Sequence, residues 1–223
     1  MASVSPKLVR IRTGFERVRS AQESFVLSLP NMHRRQGNKS VPMGRTQRER
    51  LCEMSFVILF TAWEEFLESS FEVLVVDATL GDFRKRNRVL VVDSDTVHDL
   101  LRGSRKYTDW ADHNSVRERA RVFFREGEPF ESALSSAAND LKNMRIIRNR
   151  CVHYSQHAAK QYKDMIRKAK GAQKLIVPGA LLFTSPPTGL STASGASTFG
   201  SVFELYGEIL STISSQIVTK GRR

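Results

Sequence analysis

From Glu131 to Lys170 the chain runs for forty residues without a glycine or a proline. Those two residue types are the strongest local helix breakers, so the stretch has little reason to leave the helical conformation. It is nevertheless longer than a typical globular helix. The sequence therefore predicts helices separated by a break near His153–Gln156, with Ser155 capping the helix that follows. A fold that must house this segment is predominantly helical.

The remainder of the chain agrees. Ser5-Pro6 is an N-cap followed by proline at the first helical position. Leu8, Ile11, Phe15, Val18 and Phe25 then recur near helical spacing up to Pro30. Asn31–Arg45 reads as a polar, basic connection. A long helix is expected from Thr46 to Leu80, stopping before Gly81. Its Met54–Trp63 portion is apolar almost all round, which predicts a central helix surrounded by others. Arg84–Arg88 reads as a basic loop and Val89–Val92 as a short strand without a partner. Val116–Phe124 is a short helix stopped by Gly127 and Pro129. Residues 171–200 read as a loop rich in Ser, Thr, Gly and Pro, before an amphipathic helix over 201–219. The expected class is an all-α bundle of one domain, with its core over 46–170, a basic N-terminal segment and a C-terminal helix.

Charge narrows the choice of partners. The net charge is +12, and it is clustered. Residues 1–50 hold 11 Lys/Arg against 3 acids, giving +8, and residues 142–174 hold 10 against 1, giving +9. Residues 51–141 hold 11 against 17, giving −6. Two basic blocks of this kind attract a polyanion, although charge alone does not separate RNA from DNA, an acidic protein or an anionic membrane. A solvated basic surface is the alternative. No leader is expected, because the N-terminus turns basic without an apolar run. Met54–Trp63 is too short to span a bilayer and is stopped by Glu64 and Glu65. Two cysteines, Cys52 and Cys151, form one pair at most, and a reducing cytoplasm is the simpler reading.

The second basic block contains Arg148-Asn149-Arg150-Cys151-Val152-His153. Phe130, Leu134, Ala137, Leu141 and Met144 follow the spacing of a buried helical stripe, and the next positions on it are Arg148 and Cys151. An arginine thus falls where the pattern asks for an apolar residue, and a buried guanidinium needs a partner or a cleft. Glu64, Glu68 and Glu72 stand four apart on the long helix and offer such a partner; the alternative is an ordinary solvated face. Asn149 and His153 are four apart and share a helix face, where the amide can hold the imidazole's tautomer. Arg148 and His153 are five apart, roughly 140° of rotation and about 7.5 Å of rise in an ideal helix. They converge only at a helix edge or after a distortion. A histidine near a helix end is otherwise a cap or a packing residue.

Three blocks together, Ile58–Ser69, Tyr107–Phe124 and Met144–Ser155, resemble the HEPN family of small helical ribonucleases, above all the bacterial RiboL-PSP type of defence and toxin systems. The resemblance spans roughly residues 51–170 and rests chiefly on R-N-x-x-x-H. It implies an endoribonuclease that breaks RNA by transesterification. The 2′-hydroxyl attacks the neighbouring phosphorus, the 5′-oxygen leaves, and a 2′,3′-cyclic phosphate remains. An imidazole suits the proton transfers and a guanidinium the charge on the non-bridging oxygens. Arg148, Asn149 and His153 are then the catalytic residues, Arg145 and Arg150 grip flanking phosphates, and Glu64 and Glu68 support Arg148. The resemblance further implies a homodimer whose two motifs face a shared cleft, and a cognate inhibitor, antitoxin or sensor protein to restrain the activity.

No metal or other cofactor is expected. Cys151 and His153 supply two ligands at most, and His33, His98, His113 and His157 stand singly. Neither a phosphate-cradling glycine loop nor a Ser or Cys nucleophile with a paired base is present in the sequence. Trp63 and Trp110 read as core residues. Two rivals to the nuclease remain open at this level, a non-catalytic HEPN module that binds nucleic acid or a partner, and a basic helical protein that coats DNA.

Overall fold

A computed structural model describes residues 5–76, 109–169 and 177–220. Over these residues the chain is all-α with one small hairpin. The helices are α1 (Pro6–Ser28), α2 (Arg45–Val76), α3 (His113–Phe123), α4 (Phe130–Ser135), α5 (Ala138–Val152), α6 (Gln156–Lys168), α7 (Pro178–Phe183) and α8 (Val202–Lys220). The expected basic loop at Arg84–Arg88 and strand at Val89–Val92 lie outside the described residues.

The chain divides into two compact units. The first comprises residues 1–16, 62–141 and 210–223. Aromatic packing fills it. Phe15 meets Trp63 and Phe66 at ring separations of 5.8 and 5.7 Å. Phe71 gathers Trp110, Phe123, Phe124 and Phe130 within 5.0–5.7 Å. Asp112 caps α3 by accepting the Asn114 N–H, and Glu131 on α4 takes hydrogen bonds from Arg117 and Arg121 of α3.

The second unit comprises residues 17–61 and 142–209 and contains the arginine–histidine segment. Phe56 of α2 packs against Phe203 and Tyr206 of α8 at about 6 Å. Short α7 lies hard against α2. A Cβ at Gly179 would come within 2.2 Å of the Glu49 carbonyl oxygen, so only glycine permits the approach. The Gly179 N–H then donates to the buried Glu53 carboxylate at 3.0 Å. Leu190 is buried as well, and its carbonyl accepts from Asn143 Nδ2 at 2.8 Å.

Several expectations need correcting. Asn31–Arg45 is not simply a connection: His33–Gln36 (β1) and Lys39–Pro42 (β2) pair antiparallel with Gln36 opposite Lys39. A two-residue Gly37-Asn38 turn joins them, and Gly37 supplies the positive φ of +60° that such tight turns demand. The ribbon has no apolar alternation, which is why no strand was legible. The helix of Met54–Trp63 is not enclosed on all sides, since Met54 is 61 % and Ile58 48 % exposed. Together with Thr61 and Glu65 they form one solvent-facing stripe. The stripe Phe130–Met144 belongs to two helices, because the backbone turns at Ser136-Ala137. The 171–200 segment contributes α7, and Pro178 at its first position is a helix-starting proline.

Gly179→Ala is expected to destabilise the protein by about 1–3 kcal/mol, since the added methyl meets backbone rather than a side chain able to move. Gly14→Ala, with nothing within 4 Å of its Cβ on α1, is expected to stabilise by roughly 0.5–1 kcal/mol. Urea denaturation of both variants checks the pair of signs.

Candidate active site at the end of α5

The basic segment sits where one helix stops and another starts. α5 runs to Val152, residues 153–155 belong to neither helix, and an extended Ser155 caps α6 by accepting the Ala158 N–H at 3.2 Å. The break and its cap stand where the sequence predicts them. His153 is the first residue beyond α5, and its backbone N–H still closes a helical bond to the Asn149 carbonyl at 2.8 Å. Its side chain is exposed and makes no hydrogen bond among the described residues.

Arg148 is half-buried on the last full turn of α5. Its Nη1 donates to Asn149 Oδ1 at 3.3 Å. The Asn149 amide therefore holds the guanidinium, not the imidazole for which the four-residue spacing suited it. Arg150 is half-buried too and donates to the His153 carbonyl at 3.4 Å, tying the residue after the helix back to its last turn. Arg145 is half-buried one turn earlier. Arg145, Arg148, Asn149, Arg150 and His153 thus share one helix end. Glu64 and Glu68 are half-buried on α2 in the first unit, whereas Arg148 belongs to the second.

Tyr154 is the residue that sequence reasoning missed. It is 71 % exposed, yet its hydroxyl accepts from Arg50 Nη1 at 2.6 Å. The guanidinium carbons of Arg50 and Arg150 each stand 5.8 Å from the centre of its ring. One open aromatic ring beside His153 is thus attended by two cations, an arrangement that cation–π attraction favours. The signal was an exposed tyrosine inside a basic run, but its partner lies 104 residues away.

Behind this ring the chain buries a carboxylate. Glu53 is 5 % exposed, accepts from Gly179 and stands 3.6 Å from Arg50. Burial lifts its pKa above the usual carboxylate range, opposed by the Gly179 N–H and Arg50. Cys151 shares this environment. Burial first and Glu53 second push its thiol up to about 12, so it stays protonated at neutral pH and is neither a nucleophile nor a ready metal ligand. Cys52 is buried, and its thiol is likewise raised by burial. Both cysteines are free. Among the described residues no three His, Cys, Asp or Glu side chains gather as a metal site. Nor is any helix among them long and apolar enough to cross a membrane.

His33 and His157 are exposed, and His113 is buried at the start of α3; His98 lies outside the described residues. Comparison with family models, curated proteins and solved structures returns no match to this chain.

Glu53 provides a test of how the site is held. Its raised pKa means the folded state binds the proton more tightly than the unfolded chain. Stability is therefore expected to fall as pH rises from the ordinary carboxylate range through the folded value, and to level off above it. Glu53→Gln should abolish that slope while keeping the acceptor for Gly179. Glu53→Ala should cost about 1–3 kcal/mol at neutral pH by leaving the Gly179 N–H unsatisfied. Denaturation midpoints across pH 4–8 distinguish the two.

Proposed function

We propose that this chain is a metal-independent endoribonuclease of the HEPN type. The observation that carries the reading is the helix end itself. A half-buried Arg148 held by Asn149 and a solvent-open His153 bracket one turn of backbone, within the most basic stretch of the chain. A guanidinium fixed by a neighbouring amide has lost rotamer freedom before substrate arrives, which suits a group meant to meet developing charge. An imidazole on the first residue past the helix, with no hydrogen-bond partner among the described residues, is free to meet a ribose hydroxyl.

In the proposed reaction His153 accepts the proton of the 2′-hydroxyl as its oxygen attacks phosphorus. Arg148 stabilises the charge on the non-bridging oxygens. The bond to the 5′-oxygen breaks, and the products are a 2′,3′-cyclic phosphate and a 5′-hydroxyl. The leaving oxygen needs a proton as well, and one imidazole does not serve both ends in a single pass. The protonated imidazole of His153 in a second copy, in a dimer with a shared cleft, supplies it and is left neutral. Arg145 and Arg150 hold flanking phosphates, and the Tyr154 ring offers a face on which a base stacks. Cys151 takes no chemical part, because its thiol remains neutral.

Such an enzyme in the cytoplasm needs restraint, so a cognate inhibitor or a sensor protein belongs to the same reading, as does a role as toxin or phage-defence effector. The Arg50–Tyr154–Arg150 arrangement also suits a non-catalytic HEPN module that binds RNA without cutting it. Cleavage separates the two.

With excess EDTA, purified protein is expected to cut a labelled RNA, and Arg148→Ala and His153→Ala are each expected to slow cutting by at least about a hundredfold. The same oligonucleotide with a 2′-deoxy nucleotide at the scissile position should stay whole. Folded wild-type protein that binds several RNAs, tRNA included, and cuts none of them would favour the binding module.

A further inference from the structure

The second unit contains a cavity that the proposed chemistry does not use. It measures about 300 Å³ and is lined by Pro30, Arg45, Arg48, Glu49, Ala180, Phe183 and Thr184. That volume is at the lower end of the range for small-ligand sites. Its walls differ in character. Phe183 is a half-exposed ring at the end of α7, with Pro30 and Ala180 as further apolar lining. Arg45 is neutralised by Glu49, its Nε 2.7 Å from the carboxylate. Arg48 is half-buried, and its side chain makes no hydrogen bond or ion pair among the described residues. The lining therefore combines an aromatic face with one uncompensated guanidinium.

A half-buried guanidinium costs desolvation, and no side chain or backbone group among the described residues returns it to Arg48. An anion in the cavity would return it. The ring selects among anions, because a flat apolar surface adds nothing to the binding of a bare phosphate but stacks on a base. The surrounding charge points the same way. The hairpin that leads from Pro30 into α2 carries Arg34, Arg35 and Lys39, nearly all of its side chains exposed, with no acid among them. A two-stranded ribbon with no apolar face to bury contributes little to a core. Its exposed cations suit a phosphate chain running past the cavity rather than a free small molecule.

We infer that the cavity is a nucleotide-binding site that takes one unpaired residue of a single-stranded RNA, its base against Phe183 and its phosphate on Arg48. The inference deepens the ribonuclease reading and rests on RNA being the substrate. Arg48 and Arg50 lie two apart on α2 and so point to different sides of it, Arg48 into the cavity and Arg50 to Tyr154 beside the motif. A strand reaching His153 meets the cavity by passing around the first turns of α2. The cavity then fixes which bond lies at the motif, and it sets a preference at one position removed from the cut.

The test is binding of a fluorescent single-stranded RNA dodecamer to the full chain carrying His153→Ala, so that cleavage plays no part. In that background Phe183→Leu is expected to weaken binding roughly tenfold, as loss of a stacked base does. Arg48→Gln is expected to weaken it comparably and to flatten the slope of log affinity against log salt by about 0.7, one phosphate contact on a single strand. Adenosine 5′-monophosphate should compete for the site where inorganic phosphate at equal ionic strength does not. Thermal melts of each variant exclude loss of fold, and the salt slope is a readout that a loosened fold would not shift by one contact. RNA binding that is unchanged in both variants would overturn the cavity site and leave the nuclease reading standing. A chain that binds no RNA at all would overturn both.

Discussion

A carboxylate buried against a glycine holds the motif end of this molecule in place. Glu53 lies on the apolar side of α2, the same side as Phe56 and Phe60, where an acid is costly. Two groups offset that cost, the Gly179 N–H at 3.0 Å and the Arg50 guanidinium at 3.6 Å. Each leads outward. Gly179 brings α7 to van der Waals closeness with α2, and with it Phe183 and the cavity wall. Arg50 reaches the Tyr154 hydroxyl and so fixes the residue that follows His153. Both the proposed catalytic end and the proposed nucleotide cavity hang on one buried acid side chain.

The same arrangement explains why the helix end is a suitable place for chemistry. α5 carries its arginines to a defined stop at Val152, and Ser155 starts α6 three residues later. The intervening backbone is tied to α5 at His153, by its N–H to the Asn149 carbonyl and by Arg150 to its carbonyl. Its side chains nevertheless stay open to solvent. A hydrogen-bonded backbone that carries an open imidazole is what a site needs if substrate, and not protein, is to complete the imidazole's hydrogen bonds.

Much of this was legible in the sequence, for identifiable reasons. The α5–α6 break was marked by a serine with N-cap chemistry in an otherwise unbroken stretch, a strictly local signal. Arg148 was marked by falling on an apolar stripe; it is half-buried, and the partner at 3.3 Å is its neighbour Asn149. Glu53 carries the same mark, an acid three residues before Phe56 on the buried face, but it stands just outside the apolar run from Met54 to Trp63, so that run does not point to it. The break at Ser136-Ala137 involves no glycine or proline and left no local trace. The hairpin lacks alternation because both its faces are wet. The contacts of Tyr154 with Arg50 and of Gly179 with Glu53 join residues more than a hundred positions apart, and no spacing rule on one chain reaches that far.

The proposed role of the end of α5 rests on the kind of bond-breaking that occurs there. The most direct measurement is the chemistry of the new ends, read by mass spectrometry on fragments produced in EDTA. A mechanism through the 2′-hydroxyl, with Arg148 and His153 as its only reactive groups, predicts a 2′,3′-cyclic phosphate on one fragment and a 5′-hydroxyl on the other. A 3′-hydroxyl paired with a 5′-phosphate would contradict it, because those ends require an external water nucleophile for which this helix end has no provision.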